Sequence, residues 1–232
     1  MGADMDKIIS NYIKYKFIFN DNIKHSSYLY QKMFRSIYGY TQNVTKKDKK
    51  TYWYYRAGVL EDIPYIRPGK NSIIIPINTE HKIINFFNTG KSPIHNFKEK
   101  GEWSINYDIE KIEINQEDII KTIDDFINST IVISIDGKNT KLIDELNKII
   151  NDKEYASKFK KANKNNLISK INKILEIDWV DKTKESSENV KLLISLFDKA
   201  KEIFDYTLNN DSINKDKPIT KENLENPNSQ TL

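Results

Sequence analysis

The sequence contains no cysteine, and this absence excludes disulfide bonds, thiolate metal sites and thiol nucleophiles. It also has no apolar run near the roughly 18 residues that a transmembrane helix needs. Residues 1–7 carry Asp4 and Asp6 and resemble neither a secretory signal nor a myristoylation signal. We therefore expect a cytoplasmic protein that has no membrane partner.

Motifs for cofactors and catalytic metals are missing as well. The sequence has no Gly-x-Gly-x-x-Gly and no Gly-x-x-x-x-Gly-Lys-Ser/Thr motif, which are the common phosphate-binding loops. Its three histidines, His25, His81 and His95, have no ligand spacing between them, which argues against a zinc site or a histidine-based catalytic dyad. We therefore expect no cofactor, no metal and no catalytic residue.

Arginine is scarce, because Arg35, Arg56 and Arg67 stand against 34 lysines. Lysine, asparagine and isoleucine are abundant, and we interpret this bias as the drift of an AT-rich genome. Under such drift an arginine is retained where a planar, forked guanidinium does what an ammonium cannot. Bidentate phosphate contacts and stacking on nucleic-acid bases are two such roles.

The positive charge of the chain is concentrated in one window. The net charge is +4, and residues 35–70 hold eight basic and three acidic residues, a balance of +5. The rest of the chain has 29 basic and 30 acidic residues. All three arginines fall inside this window, which indicates an anionic partner for this part of the chain.

Hydrophobic periodicity predicts the secondary structure. Helical spacing predicts helices over 7–19, from a cap at Ser26 or Ser27 to Tyr38, from Thr79 to Gly90 and from Asn115 to Asn128. Alternation with period two predicts strands over 40–45, 51–56, 72–75, 94–98, 103–107, 111–114 and 130–135. Beyond these, helical spacing returns over 141–150, 153–162, 166–177 and 187–208.

These elements predict an α+β fold. An N-terminal antiparallel sheet with flanking helices is expected over residues 1–136, followed by a helical C-terminal region over 137–208. Residues 209–232 are polar and carry few apolar side chains, so we predict a disordered tail there.

Basic and aromatic residues meet in the hairpin predicted over 40–56. In its second strand Tyr52, Tyr54 and Arg56 point to one face, while Trp53 and Tyr55 point to the other. If one face packs on the core, the other presents rings beside cations, which is a stacking platform for single-stranded nucleic acid. The alternative is a strand buried between two layers, which also favours rings on both faces.

We therefore predict a non-enzymatic protein that binds nucleic acid, with DNA, including single-stranded DNA, as the expected ligand. Its three arginines should converge on one surface. The predicted binding residues are Arg35, Tyr40, Lys46, Lys47, Lys49, Lys50, Tyr52, Trp53, Tyr54, Tyr55, Arg56, Arg67 and Lys70.

Two alternatives remain open. Asp136 and Lys138 have the Asp-x-Lys spacing of metal-dependent nucleases, which would need a further carboxylate such as Asp108, Glu110 or Glu113; Asp-Gly after a strand is also a common turn. The second alternative is an assembly module that forms a homodimer through the helix from Ser187 to Leu208, and it requires an exposed apolar stripe there. The same stripe would serve equally well in a helical bundle within the chain.

Overall fold

The structure, a computed structural model, describes residues 6–19, 24, 27–47, 49–93 and 103–215, with the backbone alone for 206–215. Its elements alternate between strands and helices in the first half of the chain and are helical in the second half. In chain order they are β1 (Lys7–Phe19), α1 (Tyr28–Tyr38), β2 (Tyr40–Thr45), β3 (Thr51–Arg56), β4 (Ile66–Gly69), β5 (Ser72–Pro76), α2 (Glu80–Thr89), β6 (Trp103–Asn115), α3 (Gln116–Ser129), β7 (Ile131–Ile133), β8 (Asn139–Lys141), α4 (Leu142–Asn151), α5 (Lys153–Ser157), α6 (Lys161–Leu175), α7 (Asp178–Thr183) and α8 (Glu188–Lys215).

A four-stranded antiparallel sheet with the order β4-β5-β1-β6 forms the centre of the molecule. β1 pairs with β6 along its whole length, from Lys7 opposite Asn115 to Phe19 opposite Trp103. On its other side β1 pairs with β5. With helices on both faces of this sheet, the α+β prediction is confirmed.

The prediction of a helix over residues 7–19 is wrong, because this segment is the central strand β1. Ile8 and Tyr12 face one apolar cluster, whereas Ile13 and Phe17 face the other. A central strand with a core on each face carries apolar residues on both faces, and here their combined spacing imitates a helical stripe. The β-branched and aromatic residues of the segment indicate a strand more reliably than its apolar spacing indicates a helix.

Each face of the sheet has its own apolar core. The hairpin-side core joins β1 and β5 to the two N-terminal helices through Met33, Ile37, Ile83, Phe86 and Phe87. The helix-side core joins the opposite face to the C-terminal helices through Ile119, Leu146, Ile171, Trp179 and Phe197. The predicted C-terminal helical region therefore packs directly on the sheet.

Several local predictions agree with the structure. α1 begins after Ser27, whose Oγ accepts a hydrogen bond from the Tyr30 backbone N–H at 3.3 Å, and it ends at Gly39. α2 ends at Gly90, which adopts the left-handed conformation. The strands β2 and β3 have the predicted bounds, and their pairing is antiparallel. Short-range capping and turn chemistry account for this agreement.

Other elements differ from the predictions. Residues 103–107 and 111–114, predicted as separate strands, form the single strand β6. The short elements β4, β8 and α7 were not predicted, and Pro68 lies in β4, where an edge strand tolerates proline. The strand predicted over 130–135 shortens to β7, and α8 continues to Lys215. Residues 94–102 of the predicted second hairpin, and residues 216–232 of the predicted tail, lie outside the described residues.

No helix in the described part of the chain has the length and apolar character needed to cross a membrane.

Candidate nucleic-acid interface

The hairpin of β2 and β3 stands apart from the central sheet. In the described residues these two strands pair with each other alone, from Tyr40 opposite Arg56 to Thr45 opposite Thr51. Trp53 is 70% exposed, and Tyr52 and Tyr54 are 37% and 36% exposed. The alternative interpretation, a strand buried between two layers, is therefore wrong.

The root of the hairpin is clamped to the end of α1. The backbone N–H of Val59 donates to the Ser36 carbonyl at 2.9 Å, and that of Leu60 donates to the Ile37 carbonyl at 3.0 Å. Gly58 lies so close to Gly39 that their backbones are in contact. An isolated two-stranded hairpin is marginally stable in water, so this clamp gives the hairpin a defined direction.

One face of the hairpin carries three pairs of a cation and a tyrosine ring, which we call the cation-ring ladder. The Arg35 guanidinium lies 4.9 Å from the Tyr40 ring centroid. Opposite Tyr40, the Arg56 guanidinium lies 5.8 Å from the Tyr54 ring centroid. Towards the tip, the Lys46 ammonium lies 4.5 Å from the Tyr52 ring. These distances are in the range of cation–π contacts, which hold long side chains in place.

The opposite face carries Trp53 and Tyr55. Trp53 lies opposite Asn43 and projects into solvent. Tyr55 is half-buried at the root, where burial, with a smaller contribution from the Glu61 carboxylate, raises its pKa to about 12. Trp53 is thus available for stacking, whereas Tyr55 fixes the hairpin against the body of the protein.

The tip of the hairpin is basic. Lys46 and Lys50 close the turn through a backbone hydrogen bond of 2.9 Å, in which the Lys46 N–H donates. Lys47, Lys49 and Lys50 are exposed, and Lys49 adopts a positive φ of 61°. Their charges extend the positive field of the ladder beyond the last ring.

A concave pocket of about 460 Å³, which we call the foot pocket, lies where α1 meets the hairpin and β4. The Arg67 guanidinium stacks on the Tyr38 ring at 4.2 Å. Arg35 borders this pocket and also lies over Tyr40, the strand partner of Arg56. Arg35 and Arg67 therefore border one pocket, and Arg35 lies over the ring that pairs with Arg56 across the hairpin. The pocket is lined by Tyr30, Gln31, Phe34, Arg35, Tyr38, Gly39, Arg67 and Lys70.

Sequence reasoning missed the aromatic floor of the foot pocket. Tyr30, Phe34 and Tyr38 follow one another at intervals of four residues on α1, and this spacing places side chains on one helix face. The rings of Tyr30 and Phe34 are 4.9 Å apart, and those of Phe34 and Tyr38 are 6.3 Å apart and stacked. The i, i+4, i+8 spacing beside Arg35 was the signal that would have found them.

The floor of the foot pocket is fixed from below by a buried phenol. The hydroxyls of Tyr38 and Tyr15 are hydrogen-bonded at 2.8 Å, and Tyr15 is 2% exposed. Burial, reinforced by the neighbouring Tyr38, raises the pKa of Tyr15 far above its ordinary value of 10.0. The folded protein therefore favours the neutral phenol.

This buried phenol predicts alkaline destabilisation. Above pH 10 the unfolded chain releases the Tyr15 proton while the folded chain retains it, so stability falls as pH rises, by up to about 1.4 kcal/mol per pH unit. In Tyr15→Phe this contribution to the fall of the unfolding free energy with pH should disappear. Urea unfolding between about pH 8 and 11.5 measures it. The exposed Tyr28→Phe serves as the control, and parallel curves for wild type and Tyr15→Phe would contradict the expectation.

The residues of the nuclease alternative are spread over two sheets, because Asp108, Glu110 and Glu113 lie in β6 whereas Lys138 directly precedes β8. Asp136 lies in the turn between β7 and β8, where Gly137 has a φ of 72° and its N–H donates to the Ser134 carbonyl at 3.0 Å. Glu113 forms an ion pair with Lys7 at 3.3 Å. Across the ranges that the structure describes, no group of three or more acidic, histidine or cysteine residues is placed to hold a metal ion. The common-turn interpretation agrees with this geometry.

The predicted exposed stripe on the last helix is wrong for the side chains described, which end at Asp205. α8 packs against α3, α4 and α5. Val190, Leu193, Phe197 and Phe204 are buried in the helix-side core. The apolar stripe that suggested a homodimer is therefore used within the chain.

Comparison with protein-family models, with curated proteins and with solved structures found no match to this chain.

Proposed function

We propose that this protein binds single-stranded nucleic acid, DNA in the first instance, through the cation-ring ladder and the exposed rings of the hairpin, without catalysing a reaction. The observation that carries the proposal is the set of contacts that the three arginines make. Arg35, Arg56 and Arg67 each lie against a tyrosine ring, and none forms an ion pair with a carboxylate among the described residues.

Unpaired guanidinium groups held in place on rings suit phosphate binding. A ring beneath a guanidinium restricts its motion but leaves the N–H donors at its edge free for bidentate contacts. Arginine is the residue best suited to this geometry, because its planar fork matches phosphate oxygens. Arg35 and Arg56 flank Tyr40 at the root of the hairpin, and Lys46 lies over Tyr52 near its tip, so cations at both ends of the ladder can contact successive phosphates of one strand.

The exposed rings favour unpaired bases over a duplex. Trp53 and Tyr54 project from opposite faces of the hairpin, so they offer flat surfaces that a stacked base pair inside a helix cannot reach. Stacking on such rings is worth about 1–3 kcal/mol per base and tolerates any sequence. The cytoplasmic location expected from the sequence belongs to the same proposal.

Fluorescence anisotropy with labelled single-stranded and duplex oligonucleotides tests the proposal. Wild type is expected to bind the single strand more tightly, with an affinity that falls as salt rises. The variant Arg35→Ala/Arg56→Ala/Arg67→Ala should bind about 100-fold more weakly, because three charge-assisted contacts are lost.

A matched control removes the same charge elsewhere. Lys153, Lys161 and Lys199 are exposed on the C-terminal helices, and their triple alanine variant should lose less than about fivefold in affinity. Equal losses in the two triple variants would show that binding follows net charge alone. Absence of binding by wild type at low salt would overturn the proposal, and an acidic protein would become the partner to test.

A further inference from the structure

The foot pocket differs in its charge from three other cavities of the described residues. One of these cavities includes Glu61, a second includes Asp62 and Asp178, and a third includes Glu61 and Asp125. Among the residues that the structure describes, none that lines the foot pocket is acidic, and three of its eight lining residues, Arg35, Arg67 and Lys70, are cations. The whole chain has nearly equal numbers of basic and acidic residues, 37 and 33, whereas the charged residues that line this cavity are all basic.

The cations surround a floor that is already ordered. The rings of Tyr30, Phe34 and Tyr38 form this floor on α1. Phe34 packs against the buried rings of Tyr15 and Phe17 at 6.4 and 6.1 Å. A pocket whose floor is packed on the core loses little conformational entropy when a ligand binds, so the gain from each contact is retained.

We propose that the foot pocket binds the terminal nucleotide of the strand and holds its terminal phosphate between Arg35, Arg67 and Lys70. This inference rests on the proposed function for the identity of the ligand as nucleic acid. The aromatic floor would contact the base or sugar, and the cations would contact the phosphate. A cavity of about 460 Å³ lies within the range of sites that enclose a small ligand.

The charge of the pocket distinguishes a strand end from a strand interior. An internal phosphodiester carries one negative charge, whereas a terminal phosphate monoester carries about −1.5 to −2 near pH 7, because its second pKa is about 6. Three cations around one cavity match a dianion better than a single diester charge. Arg35 borders both the pocket and the ladder, so a strand that ends in the pocket can continue along the hairpin.

The test compares otherwise identical single-stranded oligonucleotides that carry a 5′-phosphate, a 3′-phosphate or no terminal phosphate. The quantity measured is the ratio of dissociation constants without and with the terminal phosphate. In wild type near pH 7.5 this ratio should be about tenfold for one of the two ends. It should fall towards one at pH 5, where the monoester carries a single charge.

Two variants separate the pocket from the ladder. Arg67→Gln/Lys70→Gln removes two exposed cations of the pocket and should bring this ratio of dissociation constants to about one. Lys70→Gln alone, which leaves the contact between Arg67 and Tyr38 intact, should reduce the ratio. Tyr52→Ala/Tyr54→Ala removes two ladder rings and should weaken binding of all three oligonucleotides equally, which leaves the ratio unchanged. Thermal unfolding confirms that each variant is folded.

Competition by a nucleoside monophosphate and by inorganic phosphate completes the design. Equal binding of all three oligonucleotides to wild type would overturn the terminal-nucleotide inference and leave the proposed function standing. Failure of every oligonucleotide, with saturable binding of the monophosphate that Arg67→Gln/Lys70→Gln abolishes, would overturn the proposed function and assign the pocket to a free nucleotide. Failure of every ligand would overturn both.

Discussion

Replacement of Trp179 by alanine is expected to lower the free energy of unfolding by about 3–5 kcal/mol, the usual cost of removing a buried large aromatic side chain. Trp179 is fully buried in the helix-side core. Its Nε1–H donates to Ser10 Oγ at 3.0 Å, and Ser10 lies in the central strand β1. One side chain thus joins the C-terminal helices to the middle of the sheet.

Trp179→Phe separates packing from the hydrogen bond. Phenylalanine keeps part of the buried ring but cannot donate to Ser10, whose hydroxyl still contacts the Ile8 carbonyl at 3.3 Å. The expected loss is about 1–3 kcal/mol, as for an altered buried polar contact with a small cavity. Leu192→Ala, at a position 44% exposed on α8, is the matched control and should change stability by less than about 1 kcal/mol.

Urea unfolding followed by circular dichroism and by tryptophan fluorescence measures these effects. If the sheet and the C-terminal helices share one core, both probes should report a single transition that moves together in the variants. Two separate transitions, or a loss below about 1 kcal/mol in Trp179→Ala, would show that the two halves are energetically independent.

Replacement of Gly58 by alanine should destabilise the protein strongly. A Cβ at this position would lie 2.2 Å from the Gly39 nitrogen, 2.5 Å from the Ile37 carbonyl oxygen and 2.6 Å from the Tyr38 carbonyl carbon. All three atoms belong to the backbone, so none can rotate away. Overpacking of this kind costs about 1–3 kcal/mol or more, and we expect at least the upper figure.

The same substitution should also weaken oligonucleotide binding, because it changes the orientation of the hairpin relative to α1. Gly58 and Gly39 meet at the clamp that joins the hairpin to α1, so the added methyl group must displace the hairpin relative to α1. Oligonucleotide affinity should therefore fall in Gly58→Ala even where the protein remains folded. A variant with wild-type stability and affinity would contradict both the close contact and its role.

Gly69→Ala provides the matched control for Gly58→Ala. The nearest atom to a Cβ on Gly69 is Ser72 Oγ at 3.6 Å, which is an ordinary van der Waals distance. The substitution also reduces the entropy of the unfolded chain, so the net effect should lie within about 1 kcal/mol of zero. Chemical denaturation of the two alanine variants measures the difference directly.

The predictions that succeeded relied on short-range chemistry. The hairpin of β2 and β3 followed from alternation on both sides of a lysine-rich turn. α1 followed from a serine cap and a terminal glycine. Each signal acts within a few residues, so the chain around it has little influence on the outcome.

The predictions that failed depended on distant partners. β1 was assigned to a helix because its two apolar faces meet cores made by segments far along the chain. From the sequence, the stripe of α8 fits either a partner copy or the core of its own chain, and in the structure α3, α4 and α5 cover it. An apolar stripe indicates only that a helix face is buried. The element that buries it is far away in the sequence and cannot be identified from the stripe itself.

The candidate site shows the same division between features that the local sequence predicts and features that depend on distant contacts. Its basic residues and most of its rings could be named from the sequence, because the arginines and the positive charge fall within residues 35–70. The sequence also excluded thiol chemistry and the common phosphate loops. Tertiary structure alone decided that Trp53 is exposed, that Tyr55 is half-buried, and that Tyr38 carries Arg67 above a buried phenol. The physical reason is that composition and local hydrogen bonding are properties of the chain itself, whereas exposure and convergence depend on which remote surfaces exclude water from each side chain.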